Sequence, residues 1–234
     1  MTQTPLKTPI VYPEPDGTPM AESDPARKYL TYSAEVLEIY FEDRQDVYVS
    51  ANLWLSYEKG VPDAAIAPDV FVVFGVEKRD RTSYRVWEEG GKTPDWVLEI
   101  TSASTRHKDE KDKPDTYAQL NVAEYFQYDP TGDYLKPALK GRRLVGDRYE
   151  PLIPTRSEDG ILSFPSSVLG LEMRLLPDGR LRFFDPRTGE YLRTHREERE
   201  RANREHQARL EAETQLEAMR KLLRDRSINP DKLN

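Results

Sequence analysis

PDWVLEITSAST, residues 94–105, reads as a short β-strand: aromatic and β-branched side chains follow a proline. Its difficulty is Glu99. Side chains alternate between the two faces of a strand. Trp96, Leu98 and Ile100 therefore share one face, while Asp95, Val97, Glu99 and Thr101 share the other. Glutamate is depleted in strands, and a carboxylate buried in one is costly unless a cation or hydrogen-bond donors meet it. Either Glu99 lies on an edge strand facing water, or it points into a cleft where something meets it.

A second acid stands in a similar setting. Asp69 follows Pro68 and opens DVFVVFG (69–75), a continuously apolar run that suits a central strand covered on both sides. If the two strands are neighbours, Asp69 and Glu99 converge. Two adjacent carboxylates repel, and one has its pKa raised unless a cation binds between them. Mg²⁺ meets that demand, being a hard ion that takes oxygen ligands and keeps several waters. Zinc does not fit: the chain has no cysteine, and His107, His195 and His206 lack ligand spacing. Lysines follow in KDEKDKPDTY (108–117). A lysine near a metal-bound phosphate can stabilise developing negative charge or orient water. Acid, acid and lysine around Mg²⁺ form a minimal set for phosphodiester hydrolysis. Taken singly these residues say less. Asp69 alone reads as a turn residue at a strand start, and Lys111 and Lys113 sit in a charge run of the kind that usually faces solvent. Trp54, Trp87 and Trp96 read as core rather than as stacking platforms for bases.

The rest of the chain organises around these strands. Residues 1–28 hold six prolines and little apolar periodicity, and read as an extended, disordered arm. Leu30, Ala34, Leu37 and Phe41 recur at helical spacing, which predicts a helix over 30–43. VYVSANLWLSY (47–57) alternates as a single two-faced strand. RVWEEGGKTP (85–94) reads as a short strand closed by a Gly-Gly turn. The charged run 105–122 turns into a helix, and AEYFQYDP (123–130) is another strand stopped by Asp-Pro. Short strands separated by VGDR, SEDG, PDGR and DPRTGE follow to about 192. Residues 193–226 lack Gly and Pro and are rich in Arg, Glu, Ala and Leu, which predicts a long helix. Its best seam (Arg209, Ala212, Leu216, Met219, Leu223) is thin, fitting either a weak coiled coil and homodimer interface or a solvated helix. The expected division is an arm at 1–28, a domain at 29–192, the charged helix at 193–226 and a tail at 227–234.

Composition narrows the function. Of 234 residues, 37% are hydrophobic and 33% charged, and the net charge is −7, so any grip on nucleic acid has to be local, metal-assisted or weak. Absence of cysteine fits a reducing cytoplasm and rules out disulfides. No apolar run approaches the roughly 18 residues of a membrane span, and the N-terminus lacks the pattern of a secretory signal.

APDVFVVFG (67–75), TPDWVLEITSAST (93–105), KDEKDKPDTYAQLNVAEYFQYDP (108–130) and LGLEM (169–173), in that order and spacing, resemble the Uma2 family of restriction-endonuclease-like proteins. The resemblance covers roughly 30–192. VWEEGGKTPD (86–95) and the charged C-terminal helix are similar to a subgroup of that family. It implies an α/β fold, a PD-(D/E)XK core with a mixed central sheet of about four or five strands flanked by helices. It implies Asp69 and Glu99 as Mg²⁺ (or Mn²⁺) ligands, with the Ile100 carbonyl completing the shell, and Lys113 as the catalytic lysine, displaced onto the following helix. Thr101 stands where the usual motif puts that lysine. Tyr117 follows Lys113 by four residues, and Ser102 and Asp109 match favoured positions. Pro114 directly after Lys113 departs from the pattern and leaves Lys111 a rival. A Glu from the first helix often joins such sites, and Glu35, Glu38 and Glu42 are all candidates. The implied activity is Mg²⁺-dependent endonucleolytic cleavage of DNA. One alternative is a decayed or repurposed nuclease fold acting as a nucleic-acid or protein interaction module. Another is a metal-independent hydrolase using Asp69 and Glu99 as an acid–base pair.

Overall fold

Where a run is apolar at every position, both its faces must be covered, and this governs the centre of the molecule. A computed structural model describes residues 23–102 and 112–225. Most of the proline-rich arm, His107, Asp109, Lys111 and the tail lie outside the described residues. The elements run α1 (Asp24–Tyr40), β1 (Val47–Ala51), β2 (Leu55–Ser56), β3 (Ala65–Ile66), β4 (Val70–Phe74), β5 (Tyr84–Arg85), β6 (Trp96–Ile100), α2 (Lys113–Gln119) and β7 (Glu124–Tyr128). They continue with β8 (Leu139–Val145), β9 (Arg148–Pro151), β10 (Thr155–Arg156), β11 (Leu162–Ser166), β12 (Leu171–Leu175), β13 (Leu181–Asp185), β14 (Glu190–Tyr191) and α3 (His195–Asp225).

The central sheet has six strands in the order β1-β4-β6-β7-β8-β9. Only β6 and β7 pair in parallel, with α2 in the crossover between them, so the sheet is mixed. The β8–β9 hairpin, closed at Gly146 and Asp147 with Gly146 at φ 63°, carries it beyond the four or five strands expected. One face bears Val70, Val72, Trp96, Leu98, Phe126 and Tyr128, which pack under α1 and under the five-stranded sheet β10–β14. The other bears Phe71, Val73, Val97 and Tyr125, which pack with Tyr117 of α2 and with Tyr84 of the small sheet β3-β2-β5. The mixed α/β core with flanking helices is thus the architecture observed.

Several expectations change, among them the short strand expected over 85–94, where only Arg85 belongs to β5 and Val86–Glu88 form a 3₁₀ turn. The first helix begins at Asp24 rather than Leu30, because Pro25 is not a breaker there. It occupies the first turn, where its missing N–H costs nothing, and the Ser23 side chain accepts from Ala26 N at 3.3 Å as the N-cap. The expected single strand over 47–57 is two. Asn52 turns into the left-handed region at φ 50°, its N–H meets the carbonyls of Pro68 and Asp69, and the chain leaves the central sheet to form β2 in the small one. Finally, β6 is not an edge strand, and the face that carries Glu99 is a second apolar layer.

The chain divides into two compact units, one ending at Leu192 and one beginning at Arg193. In the second unit α3 starts with a capping box: Glu197 N donates to Thr194 Oγ1 at 3.2 Å and Thr194 N donates to Glu197 Oε2 at 2.9 Å. Pairs four residues apart, Arg196–Glu200, Arg201–Glu205 and Arg209–Glu213, line the helix, and Leu210, Leu216, Met219 and Leu222 are exposed.

Candidate active site

The antiparallel β4–β6 pair is tied at both ends by an aspartate that follows a proline. At one end Asp69 Oδ2 accepts from Ile100 N at 2.6 Å; at the other Asp95 Oδ2 accepts from Phe74 N at 2.8 Å. Each replaces a ladder bond just beyond the last paired residues. The register runs Val70↔Leu98 and Phe71↔Val97, so one further step sets Asp69 opposite Glu99 on the same face. Asp95 has no carboxylate opposite it. Position in the sheet, not the Pro-Asp sequence, makes Asp69 half of an acidic pair.

Glu99 is fully buried. What meets it is α2. Pro114 starts this helix with Lys113 as its first residue, and Lys113 and Tyr117, four apart, lie on one face of it. Lys113 Nζ donates to Glu99 Oε2 at 2.6 Å, and the Tyr117 hydroxyl donates to Glu99 Oε1 at 2.5 Å. Lysine and tyrosine thus take one carboxylate oxygen each. The Lys113 side chain keeps 17% exposure, so its ammonium spans from the buried carboxylate to solvent. Burial, reinforced by the adjacent Glu99 carboxylate and more distantly by Asp69, pushes the Tyr117 hydroxyl well above its ordinary pKa. Tyr117 is therefore a donor at every ordinary pH. Its ring lies 5.3 Å from that of Tyr125, which anchors α2 on the sheet.

The structure thus brings Asp69, Glu99, Ile100 and Lys113 together. Within a strand the N–H and C=O of one residue point the same way, so the Ile100 carbonyl faces the side of β6 on which Asp69 lies. The first-helix glutamates are not brought in. The apolar stripe of α1 (Val36, Leu37, Phe41) packs on the opposite face of the sheet from Glu99. Glu38 and Glu42 lie by Lys78, beyond the far end of β4 from Asp69: Lys78 Nζ donates to the Glu42 carbonyl at 3.2 Å. Partial burial raises the Glu38 pKa, with the Lys78 charge opposing the rise and the nearby Glu35 adding to it.

Among the described residues no cluster of three or more His, Asp or Glu side chains could hold a metal. Two carboxylates and a carbonyl, all hard oxygens, still suit Mg²⁺, which usually takes one or two protein carboxylates and keeps the rest of its shell for water and phosphate. The same set is too sparse for a metal that needs a closed protein cage. Two further polar groups lie on the Glu99 face, and the sequence does not single them out as site residues. Thr101, notable in the sequence only for its place in the motif, and Gln127 in β7 are each about 1% exposed. The one signal for Gln127 is an amide inside an otherwise aromatic strand, EYFQY.

This arrangement coincides with a family match. The family model Uma2, described as "Putative restriction endonuclease", matches residues 15–175. The chain belongs to the Uma2 family. The matched region contains Asp69, Glu99, Lys113, Tyr117 and Gln127 and ends before α3. A crystal structure described as "a putative nuclease belonging to DUF820 from Anabaena variabilis" is similar, with 14% identity and a TM-score of 0.43 over 58% of this chain and 74% of that one. No curated protein matches.

Proposed function

We propose that this Uma2 protein is an endonuclease that hydrolyses DNA phosphodiester bonds with Mg²⁺, or Mn²⁺ in its place. The observation that carries the reading is the Asp69–Glu99 pair with the Lys113 ammonium on Glu99. Asp69, Glu99 and the Ile100 carbonyl would hold the ion. When bound, it would polarise the phosphate and acidify water. Tyr117 fixes the Glu99 carboxylate from below. Lys113, reaching from Glu99 toward solvent, stabilises charge gathering on the phosphate oxygens or orients the attacking water. Lys140 and Arg142 of β8 project from the same face of the sheet as Gln127 and Tyr125, their partners in register. They supply local positive charge of the kind a chain of net charge −7 needs beside a polyanion.

A repurposed fold is the second reading, and one observation favours it. Both Glu99 oxygens already have protein donors, so the buried trio is satisfied without an ion. Nicking of supercoiled plasmid by wild type and Glu99→Gln, at equal folded fraction, with Mg²⁺, Ca²⁺ or chelator, tests the proposal. Cleavage by wild type that needs Mg²⁺ and is lost in Glu99→Gln supports it. Cleavage that persists in chelator points to metal-independent acid–base hydrolysis. No cleavage, together with no heat on Mg²⁺ titration, points to an interaction module.

A further inference from the structure

The strand register places one more group beside Glu99. Gln127 is its in-register partner across the parallel β6–β7 pair, and Lys140 is the partner of Gln127 across β7–β8. With Asp69 opposite Glu99, four neighbouring strands each contribute one polar side chain to a single row: Asp69, Glu99, Gln127, Lys140. In-register side chains share a face about 5 Å apart. Gln127 is about 1% exposed, and neither its Oε1 nor its Nε2 has a hydrogen-bond partner among the described residues. Thr101 Oγ1, two residues beyond Glu99 on the same face, is likewise buried without a partner among the described residues.

A buried carboxamide with neither end bonded forfeits the full desolvation of both groups, and a leucine there would avoid that loss. The described residues supply Gln127 no partner, which leaves the amide to be met from outside them. It is too buried to reach a DNA strand directly. A small hydrated species in the row suits it, since an amide both accepts from and donates to water, and a buried water needs two to four polar partners. We propose that Gln127, aided by Thr101, is a positioning residue that holds the water shell of a divalent cation bound at Asp69 and Glu99. Such outer contacts orient the inner ligands and commonly change metal affinity 10- to 100-fold. The inference rests on the metal reading of the site and adds the residues that organise its water.

Mn²⁺ titration calorimetry on the full chain separates this role from a structural one. Gln127→Met keeps length and apolar volume but removes both hydrogen-bonding groups. It should weaken Mn²⁺ binding about tenfold or more. Melting without cation should rise, because a buried amide with no partner among the described residues has been removed, and the rise in melting temperature on adding Mn²⁺ should shrink. Gln127→Glu, of the same shape, should keep or strengthen Mn²⁺ binding. A merely structural glutamine would instead leave affinity unchanged in both variants and lower the cation-free melting temperature of Gln127→Met. Binding lost in Glu99→Gln but unchanged in Gln127→Met would overturn this inference alone. A wild-type protein that binds no Mn²⁺ would overturn the metal reading and this inference together.

Discussion

Asp69 and Asp95 form an internal control for the metal assignment. Both follow proline, both precede a strand, and both accept a backbone N–H at an end of the same β4–β6 pair, at 2.6 and 2.8 Å. Asparagine in either place keeps one acceptor oxygen and loses the charge. A hydrogen bond to a charged group contributes about 1.5–3 kcal/mol and a neutral one about 0.5–1.5, so each substitution should cost about 1 kcal/mol on this count. At Asp69 a second effect opposes the first. Its register partner is Glu99, and two like charges about 5.5 Å apart repel by about 3 kcal/mol at an effective dielectric of 20. Lys113 already offsets part of that repulsion. Removing the Asp69 charge should therefore leave stability near its starting value. The prediction is about 1 kcal/mol lost in Asp95→Asn and close to none in Asp69→Asn, read by urea denaturation with an unchanged m-value. Plasmid cleavage should show the reverse order. Asp69→Asn should fall by about 10²–10³-fold, the scale of losing one electrostatic partner of the reacting group. Asp95→Asn should stay within about twofold once folded fraction is matched. If the two variants lose stability and cleavage in parallel, Asp69 is a strand tie and nothing more.

Other perturbations probe the neighbours of Glu99 and the second unit. Lys113→Met strips the ammonium from a fully buried carboxylate; it should cost about 3 kcal/mol, the low end for breaking a buried pair because Lys113 is partly exposed, and cut cleavage by about 10²-fold. Lys111→Ala should cost far less, through DNA attraction that fades with added salt, and the reverse order in single-turnover assays would move the catalytic role to Lys111. Burial raises the Tyr84, Tyr117, Tyr128 and Tyr149 hydroxyls above their ordinary value, so their contribution to stability is complete below about pH 10 and is lost as pH rises through the folded values. Denaturation across the alkaline range should show that fall, and tyrosinate titration of Glu99→Gln should show Tyr117 ionising at lower pH than in wild type. Truncation after Leu192 should leave the first unit folded by circular dichroism, and a smaller mass in light scattering would identify α3 as a self-association helix; aggregation of the truncated chain would refute the boundary.

Much of the framework is legible because it rests on local periodicity. The apolar run at 70–74, the alternation at 96–100 and the glycine-free stretch near the end of the chain correspond to β4, β6 and α3. The misreadings have local physical causes too. Asp24 and Pro25 read as part of the proline-rich arm, although Ser23 before them is an N-cap and proline suits a first turn. Asn52 breaks an expected strand through a left-handed backbone that side-chain alternation does not register. At the site, the sequence poses the question of Glu99 and supplies Lys113 and Tyr117 at helical spacing. It does not show that Tyr117 takes one carboxylate oxygen and Lys113 the other, because that depends on how α2 settles on the sheet. Gln127 is illegible for a different reason. Its meaning lies in register with Glu99 across a parallel crossover, and register is a property of strand pairing rather than of either strand.

The buried Glu99–Lys113 contact is a weak device for stability, and that bears on why it is present. Two charges taken from water recover their desolvation only with good geometry, and apolar residues of the same volume often do as well or better. The trio has good geometry, with short contacts to both carboxylate oxygens, yet it sits in a sheet whose interior is mostly Val, Leu, Phe, Trp and Tyr; the other buried carboxylate there, Glu124, is held by Arg143, Ser166 and Ser167. A layer selected for packing alone would place aliphatic side chains at 99 and 127, where the fold instead has, side by side, a carboxylate and an amide with no hydrogen-bond partner among the described residues. Asp69 extends the same row at its other end, and the partly exposed Lys113 connects the row to solvent. What sets the Glu99 row apart from the Glu124 cluster is that its amide at 127 has no hydrogen-bond partner among the described residues, whereas Glu124 has Arg143, Ser166 and Ser167, and that difference is what the proposed ion site accounts for.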